Sequence, residues 1–174
     1  MLDTAFVDVA TGQRLLWSLV HDEWRRQTPL RGNGGGPMPG GPVRLGERVY
    51  MPVNDATEVP WQFSVHVLER GHWRQVGGPL NRGAGHAQGV LRRIGRSVWA
   101  VWQENAPRDD GLFDTRMFVP KVAPAGGPAR EIWAGTSIGP GSTEVARGAG
   151  RDWVLYMPGV SGRRALTVAV KPLR

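Results

Sequence analysis

Residues 68–80 read Leu68-Glu69-Arg70-Gly71-His72-Trp73-Arg74-Gln75-Val76-Gly77-Gly78-Pro79-Leu80. Residues 19–30 read Leu19-Val20-His21-Asp22-Glu23-Trp24-Arg25-Arg26-Gln27-Thr28-Pro29-Leu30. Laid over each other, they place Trp73 on Trp24, 49 positions apart. A second landmark, a glycine three residues before an apolar run, recurs as Gly46-Glu47-Arg48-Val49, Gly95-Arg96-Ser97-Val98 and Gly150-Arg151-Asp152-Trp153, at spacings of 49 and 55. Two unrelated landmarks sharing one spacing mark an internal repeat of about fifty residues.

Within each period, short runs rich in β-branched and aromatic residues alternate with Gly/Pro clusters, the pattern of strands bounded by turns. The middle period predicts four strands, at 89–94, 97–103, 115–122 and 131–134. The stretch Gln13 to Arg26 carries Leu15, Leu16, Leu19 and Val20 at helical spacings, but the repeat makes it strand. A four-stranded antiparallel unit recurring at this length is the blade of a β-propeller, so the expected fold is all-β, a propeller-like array of such blades. The units expected are a partial blade over 4–30, blades over 42–80 and 89–134, and a partial blade over 144–173, about three and a half in all. Closed propellers have about 4–8 blades. A small closed ring, a ring completed by a homo-oligomer and a piece of a longer propeller therefore all stay open. Trp24, Trp73 and Trp133, with Tyr50, Trp99 and Trp153, are the large residues expected to pack between blades.

The segment Trp73-Arg74-Gln75-Val76-Gly77-Gly78-Pro79-Leu80-Asn81, followed by Val98-Trp99-Ala100-Val101-Trp102-Gln103-Glu104, resembles bacterial β-propeller repeat proteins. Their repeats close with a Trp and a Gly-Gly-Pro-Leu-Asn-like turn. The likeness is specific from about Val43 to Ala134. The sialidase Asp-box, the Trp-Asp repeat ending and the kelch double glycine are absent from the sequence. The resemblance implies a fold and leaves the activity open.

The composition agrees. Of 174 residues 25 are Gly and 14 Pro, which leaves little uninterrupted chain for long helices. The apolar share of 40% with eight Trp suffices for a packed core. The formal charge is +7, but 20 of the 22 basic residues are Arg, scattered among acids. That is read as a dispersed surface excess, so nucleic acid is not an expected partner. Without Cys there is no disulfide, thiolate metal site or Cys nucleophile. No apolar run reaches the ~18 residues of a spanning helix, and Met1-Leu2-Asp3-Thr4 carries neither a basic leader nor an apolar core. The expectation is a soluble chain with no membrane partner, cytoplasmic only by default, with the compartment left open.

Because antiparallel strands alternate in direction, the loops between second and third strands share a rim with the inter-blade connections. The loops expected there run from Asn54 to Gln62 and from Glu104 to Leu112. This rim gathers Asp55, Trp61, His86, Glu104, Asp109 and Asp110, the expected ligand-binding set. Trp61 offers a face for a sugar ring or a plug between blades, an ambiguity Trp102 shares. Glu104 with Asp55 or Asp109 has the make-up of a glycosidase pair, which needs a separation of about 5–9.5 Å. Set against that, Asp109-Asp110-Gly111 is ordinary turn chemistry. Gly135-Thr136-Ser137-Ile138-Gly139 matches a nucleophile-elbow pattern, but Pro140 follows at once, so it is read as an inter-blade loop. The four His lack metal-ligand spacing, and His66 is read as an outward strand residue. The expectation is therefore no metal, no cofactor and no catalytic residue. The function expected is a binding or scaffolding module for a glycan or a protein, and the alternative is a fragment of a propeller glycoside hydrolase or lyase using paired rim carboxylates.

Overall fold

A computed structural model describes residues 2–8, 13–30, 41–55, 62–81, 87–107, 110, 113–132, 137–138, 142–157 and 169–173. These form fifteen strands and no helix. The first sheet holds β1 (Asp3–Val7), β2 (Arg14–Val20) and β3 (Glu23–Arg26); the second holds β4 (Val43–Leu45), β5 (Arg48–Asp55), β6 (Gln62–Glu69) and β7 (His72–Gln75). The third holds β8 (Ala87–Ile94), β9 (Ser97–Pro107) and β10 (Phe113–Pro124), with β11 (Arg130–Glu131) and β12 (Ser137–Ile138) both on the outer edge of β10. The fourth holds β13 (Ser142–Gly148), β14 (Arg151–Met157) and β15 (Ala169–Pro172). Every pairing is antiparallel between sequence neighbours, apart from β10 with β12. The architecture is an all-β, propeller-like array of up-and-down blades. The helical reading of residues 13–26 is excluded, since they fold as the β2–β3 hairpin.

Adjacent blades meet face to face through three apolar seams. Leu16 and Leu30 of the first blade pack with Val49, Met51, Val53 and Leu68 of the second. Phe63 and Val65 of the second pack with Val98, Ala100 and Trp102 of the third. Trp99, Val101 and Val122 of the third pack with Val145, Val154 and Leu173 of the fourth. Strand pleating sends alternate residues of β9 to opposite seams, so the run Val98-Trp99-Ala100-Val101-Trp102 is apolar on both faces. The second and third blades come close at Gly89, where an added Cβ would lie 2.4 Å from Phe63 Cε1.

The repeat also fixes finer contacts. Each fourth strand slips in register. Three steps along β2, from Trp17 to Arg14, face four outside, from Arg26 to Leu30. Two steps from Val65 to Phe63 face four from Val76 to Leu80, and three from Lys121 to Phe118 face six from Glu131 to Ser137. Into this bulge sits the turn between the third and fourth strands of the next blade. Thr28 Oγ1 donates to Gly71 O at 2.9 Å and Trp73 Nε1 donates to Thr28 O at 2.7 Å. In the next seam a Cβ on Gly77 would lie 3.7 Å from Gly126 Cα. Gly71 and Gly126, at φ of 79° and 81°, occupy the left-handed region that only glycine enters freely. First strands carry a recurring arginine. Arg44 holds Asp3 of the preceding blade with two bonds of 2.7 Å, Arg93 reaches Arg44 O at 3.4 Å, and Arg147 lies over Gly95 while binding Asp152 at 2.7 Å. Burial pushes the Asp3 carboxyl up, but the hydrogen bonds from Arg44 and Ser18 and the Arg44 charge outweigh it and hold the group below the usual value. Part of the arginine excess is therefore inter-blade stitching, which corrects the reading of it as wholly dispersed surface charge.

Several expectations need further correction. The turn landmark is off by one in the fourth blade, where Ala149, at φ 49°, takes the place of Gly46 and Gly95. Ser137–Ile138, read as loop, is a strand paired with Met117–Phe118, because β10 is long enough to carry both pieces of a bulged fourth strand. Trp24, expected between blades, is 47% exposed, since among the described residues no sheet lies against that face of the first blade. Trp73, Tyr50 and Trp99 do pack in seams, and Trp133 lies outside the described residues.

Candidate functional site

The second strands of successive blades end on one rim with an acid at the same repeat position. Asp55 closes β5 opposite Gln62. The N–H of Asp8, just past β1, donates to Gln13 O at 2.8 Å, which reproduces that pairing one repeat earlier. Glu104 stands 49 residues after Asp55. Asp55 and Glu104 point toward the preceding blade, the face that carries Val49, Met51 and Val53 in β5 and Val98, Ala100 and Trp102 in β9.

Glu104 is not in a loop. β9 runs on to Pro107 because Glu104 and Asn105 keep pairing with Val119 and Phe118, and the side chain is 3% exposed. One carboxylate oxygen accepts the Trp102 Nε1 hydrogen at 3.0 Å and the other takes an ion pair from Lys121. Lys121 pairs with Trp102 across β9 and β10, so the three side chains share one face. Trp102 itself is 1% exposed, a seam residue and not a rim platform. Above the Glu104–Lys121 pair opens a cleft of about 360 Å³. Its walls are Val76-Gly77-Gly78-Pro79-Leu80, the bulge of the second blade, and Gly126-Gly127-Pro128-Ala129, the turn of the third. Glycines keep both walls thin, so main chain comes close to whatever enters.

The first seam solves the same position differently. Arg14 begins β2 at 1% exposure and donates from Nη2 to Asn54 O at 2.9 Å, while its Nε has no hydrogen-bond partner. Burial pulls the guanidinium pKa down and the Asp55 charge opposes that. His66, opposite Met51, faces this seam and not solvent, since Met51 lies in the core between the first two blades. Burial first, then the Arg14 charge, push its imidazole down to about 4.

Of the expected rim residues, the structure places Asp55 at a strand end, half-buried, Glu104 in the floor of the cleft, and Asp110 in an exposed turn. Trp61, His86 and Asp109 lie outside the described residues. Asp8 and Arg14 on the rim and Lys121 in the cleft are residues the sequence reading missed. Asp8 and Asp55 each precede a glutamine, Gln13 and Gln62, themselves 49 apart, and that was the available signal. Among the described residues no group of three or more His, Asp or Glu gathers as a metal site, and no helix is long and apolar enough to cross a membrane.

No protein-family model and no curated protein matches the chain. Among solved structures, it is similar to a Bombyx mori GH32 β-fructofuranosidase, a mutant in complex with sucrose, at 11% identity and a TM-score of 0.49. The match covers 93% of this chain and 39% of that one, so the chain spans well under half the length of that enzyme.

Proposed function

We propose that the chain is a non-catalytic binding module that takes a glycan or a protein segment on the rim where the second strands end and in the cleft between the outer strands of the second and third blades. The observation that carries this reading is the commitment of Glu104, whose oxygens are occupied by Lys121 and by Trp102 Nε1. A general acid delivers its proton to the substrate from hydrogen-bond reach, and both Glu104 oxygens are turned to partners within the blade. Asp55 and Asp110 also have partners, so none of the described carboxylates of the expected set stands free for that role. The cleft instead offers the Lys121 ammonium and close main chain over a charge-balanced floor, which suits a neutral, polyhydroxylated or peptide-like ligand. Trp61, His86 and Asp109 belong to the same rim in this proposal. The rival reading, a fragment of a hydrolase or lyase, uses the same carboxylates as acid and base. The proposal also includes completion of the open ends of the array by a second copy or by further blades.

Calorimetric titration of the 174-residue chain with a panel of neutral disaccharides and capped dipeptides should give saturable binding to one class. Ala129→Trp, which fills the cleft mouth without touching the ion pair, should abolish it. Binding that survives Ala129→Trp overturns the cleft as the site. Turnover of nitrophenyl glycosides that Glu104→Gln or Asp55→Asn abolishes would establish the enzyme reading instead.

A further inference from the structure

The two ends of the array are the halves of a seam that the described residues do not make. In β6 both faces are packed, toward the first blade and toward the third. In β2, the same strand one repeat earlier, burial alternates. Arg14, Leu16 and Ser18 are buried against the second blade, while Leu15, Trp17 and Leu19 are only half-covered. Leu2 and Phe6 share that uncovered face with Leu15 and Trp17, as their pairing shows. Leu2 is 59% and Phe6 57% exposed, whereas the residues at the same repeat positions in the second blade, Val49 and Val53, are 1% and 6% exposed. Trp24 adds to the contrast, for its repeat partner Trp73 packs in a seam and bonds the preceding blade through Nε1. At the other end, Val154 packs on the third blade, and the opposite face of the fourth carries Trp153, Leu155 and a 54% exposed Val170.

In each internal seam, the face of one blade that carries Tyr50, Trp99 or their equivalents meets the face of the next that carries Val49-Met51-Val53 or Val98-Ala100-Trp102. The fourth blade presents the first kind, with Trp153 at the position of Trp99, and the first blade presents the second kind. One array cannot bring them together without closing on itself, and these residues remain exposed.

We infer that a second copy of this chain covers them, the fourth blade of each copy packing on the first blade of the other. The contact extends the inter-blade stacking the chain already makes three times, and it joins two different faces, so it is heterologous and must close or polymerise. Two copies make a ring of eight sheets, the upper end of the usual propeller range of about 4–8, and three copies would exceed it. This inference does not rest on the rim reading, because none of the cleft residues takes part.

Sedimentation equilibrium of the purified chain tests it. One chain weighs 19.0 kDa, and the expected species has twice that mass. Phe6→Asp and Val170→Asp, both on exposed positions, should each give a monomer with unchanged circular dichroism. Leu2→Asp is the second probe of the first face should Phe6→Asp not fold. Mixing the Phe6→Asp and Val170→Asp chains must restore a dimer, because one seam then forms between two unaltered faces. A monomer for the native chain, a species larger than a dimer, a dimer that survives both charges, or a dimer broken by Phe6→Asp alone each overturns the proposal.

Discussion

The seams before and after the second blade differ most where they are most alike. Asp55 and Glu104 hold one repeat position and face the same way, yet Glu104 draws its cation from its own blade, through Lys121 on the adjacent strand, while Asp55 feels Arg14, which belongs to the neighbouring blade. The Glu104 arrangement also takes in the Trp102 hydrogen. The Arg14 arrangement leaves Nε unpaired at 1% exposure and adds its charge to the burial that drives His66 out of its normal titration range. A repeat thus transmits backbone geometry and apolar volume faithfully, and leaves each seam to find its own charge balance. A self-contained pair lets a blade keep its site whatever stands beside it, whereas a shared one makes the site a property of two blades.

The sharpest way to break the contrast is Glu104→Gln, which strands Lys121 beside the cleft. Removing one partner of a buried pair costs about 3 kcal/mol or somewhat more, readable as a lowered urea midpoint. Adding Lys121→Met should bring stability back to within about 1 kcal/mol of the native chain, since replacing both members by apolar groups is nearly neutral. If the double variant is as unstable as the single one, the pair is not what holds that strand end.

The second effect belongs to the first seam and appears with acid. The unfolded chain protonates its histidine near 6.5, but His66 in the folded state does so only at about 4. Stability is therefore full above pH 6.5, falls as pH drops from 6.5 to 4 while the unfolded state takes the proton first, and is level in this respect below 4. The loss amounts to about 3 kcal/mol across the window. His66→Gln should flatten the stability profile there, and an unchanged slope would assign it to other groups.

The smallest effect is expected from Arg14→Met. The change loses the bond to Asn54 O and the cation beside Asp55 but also removes a buried, unpartnered Nε, so it should cost about 1 kcal/mol. The same change removes a cation facing His66, so the imidazole pKa, followed by NMR, should rise from about 4. A fixed pKa would mean that burial alone sets it.

The blades themselves were legible because apolar pattern and turn glycines follow the backbone period. Trp24 and Trp73, and Gly46 and Gly95, reported one spacing independently. What the pattern could not report was register between strands. Glu104 looked like the start of a loop because Glu-Asn-Ala-Pro breaks the apolar run, and only its pairing with Val119 keeps it in the sheet. Lys121, between Pro120 and Val122, gave no sign of reaching Glu104, since the contact depends on Trp102 and Lys121 standing opposite each other. His66 alternates with Val65 and Val67 as an outward residue would, but a strand stacked on both sides has no outward face. Ala149 hid the fourth turn because a glycine stands directly after it, and one residue of slip in a strand exchanges its two faces.

The register slip in the fourth strands widens from one extra residue to two and then to three along the chain, while the seams inside keep their form. The outermost strand therefore works as a take-up reel. Length gained or lost there is absorbed at the periphery, without shifting the second and third strands that carry the core. Single-residue insertions after Gln27 or Gly78 should be tolerated far better than the same insertions in β5 or β9. An array built this way lets its blades drift in length independently and still stack.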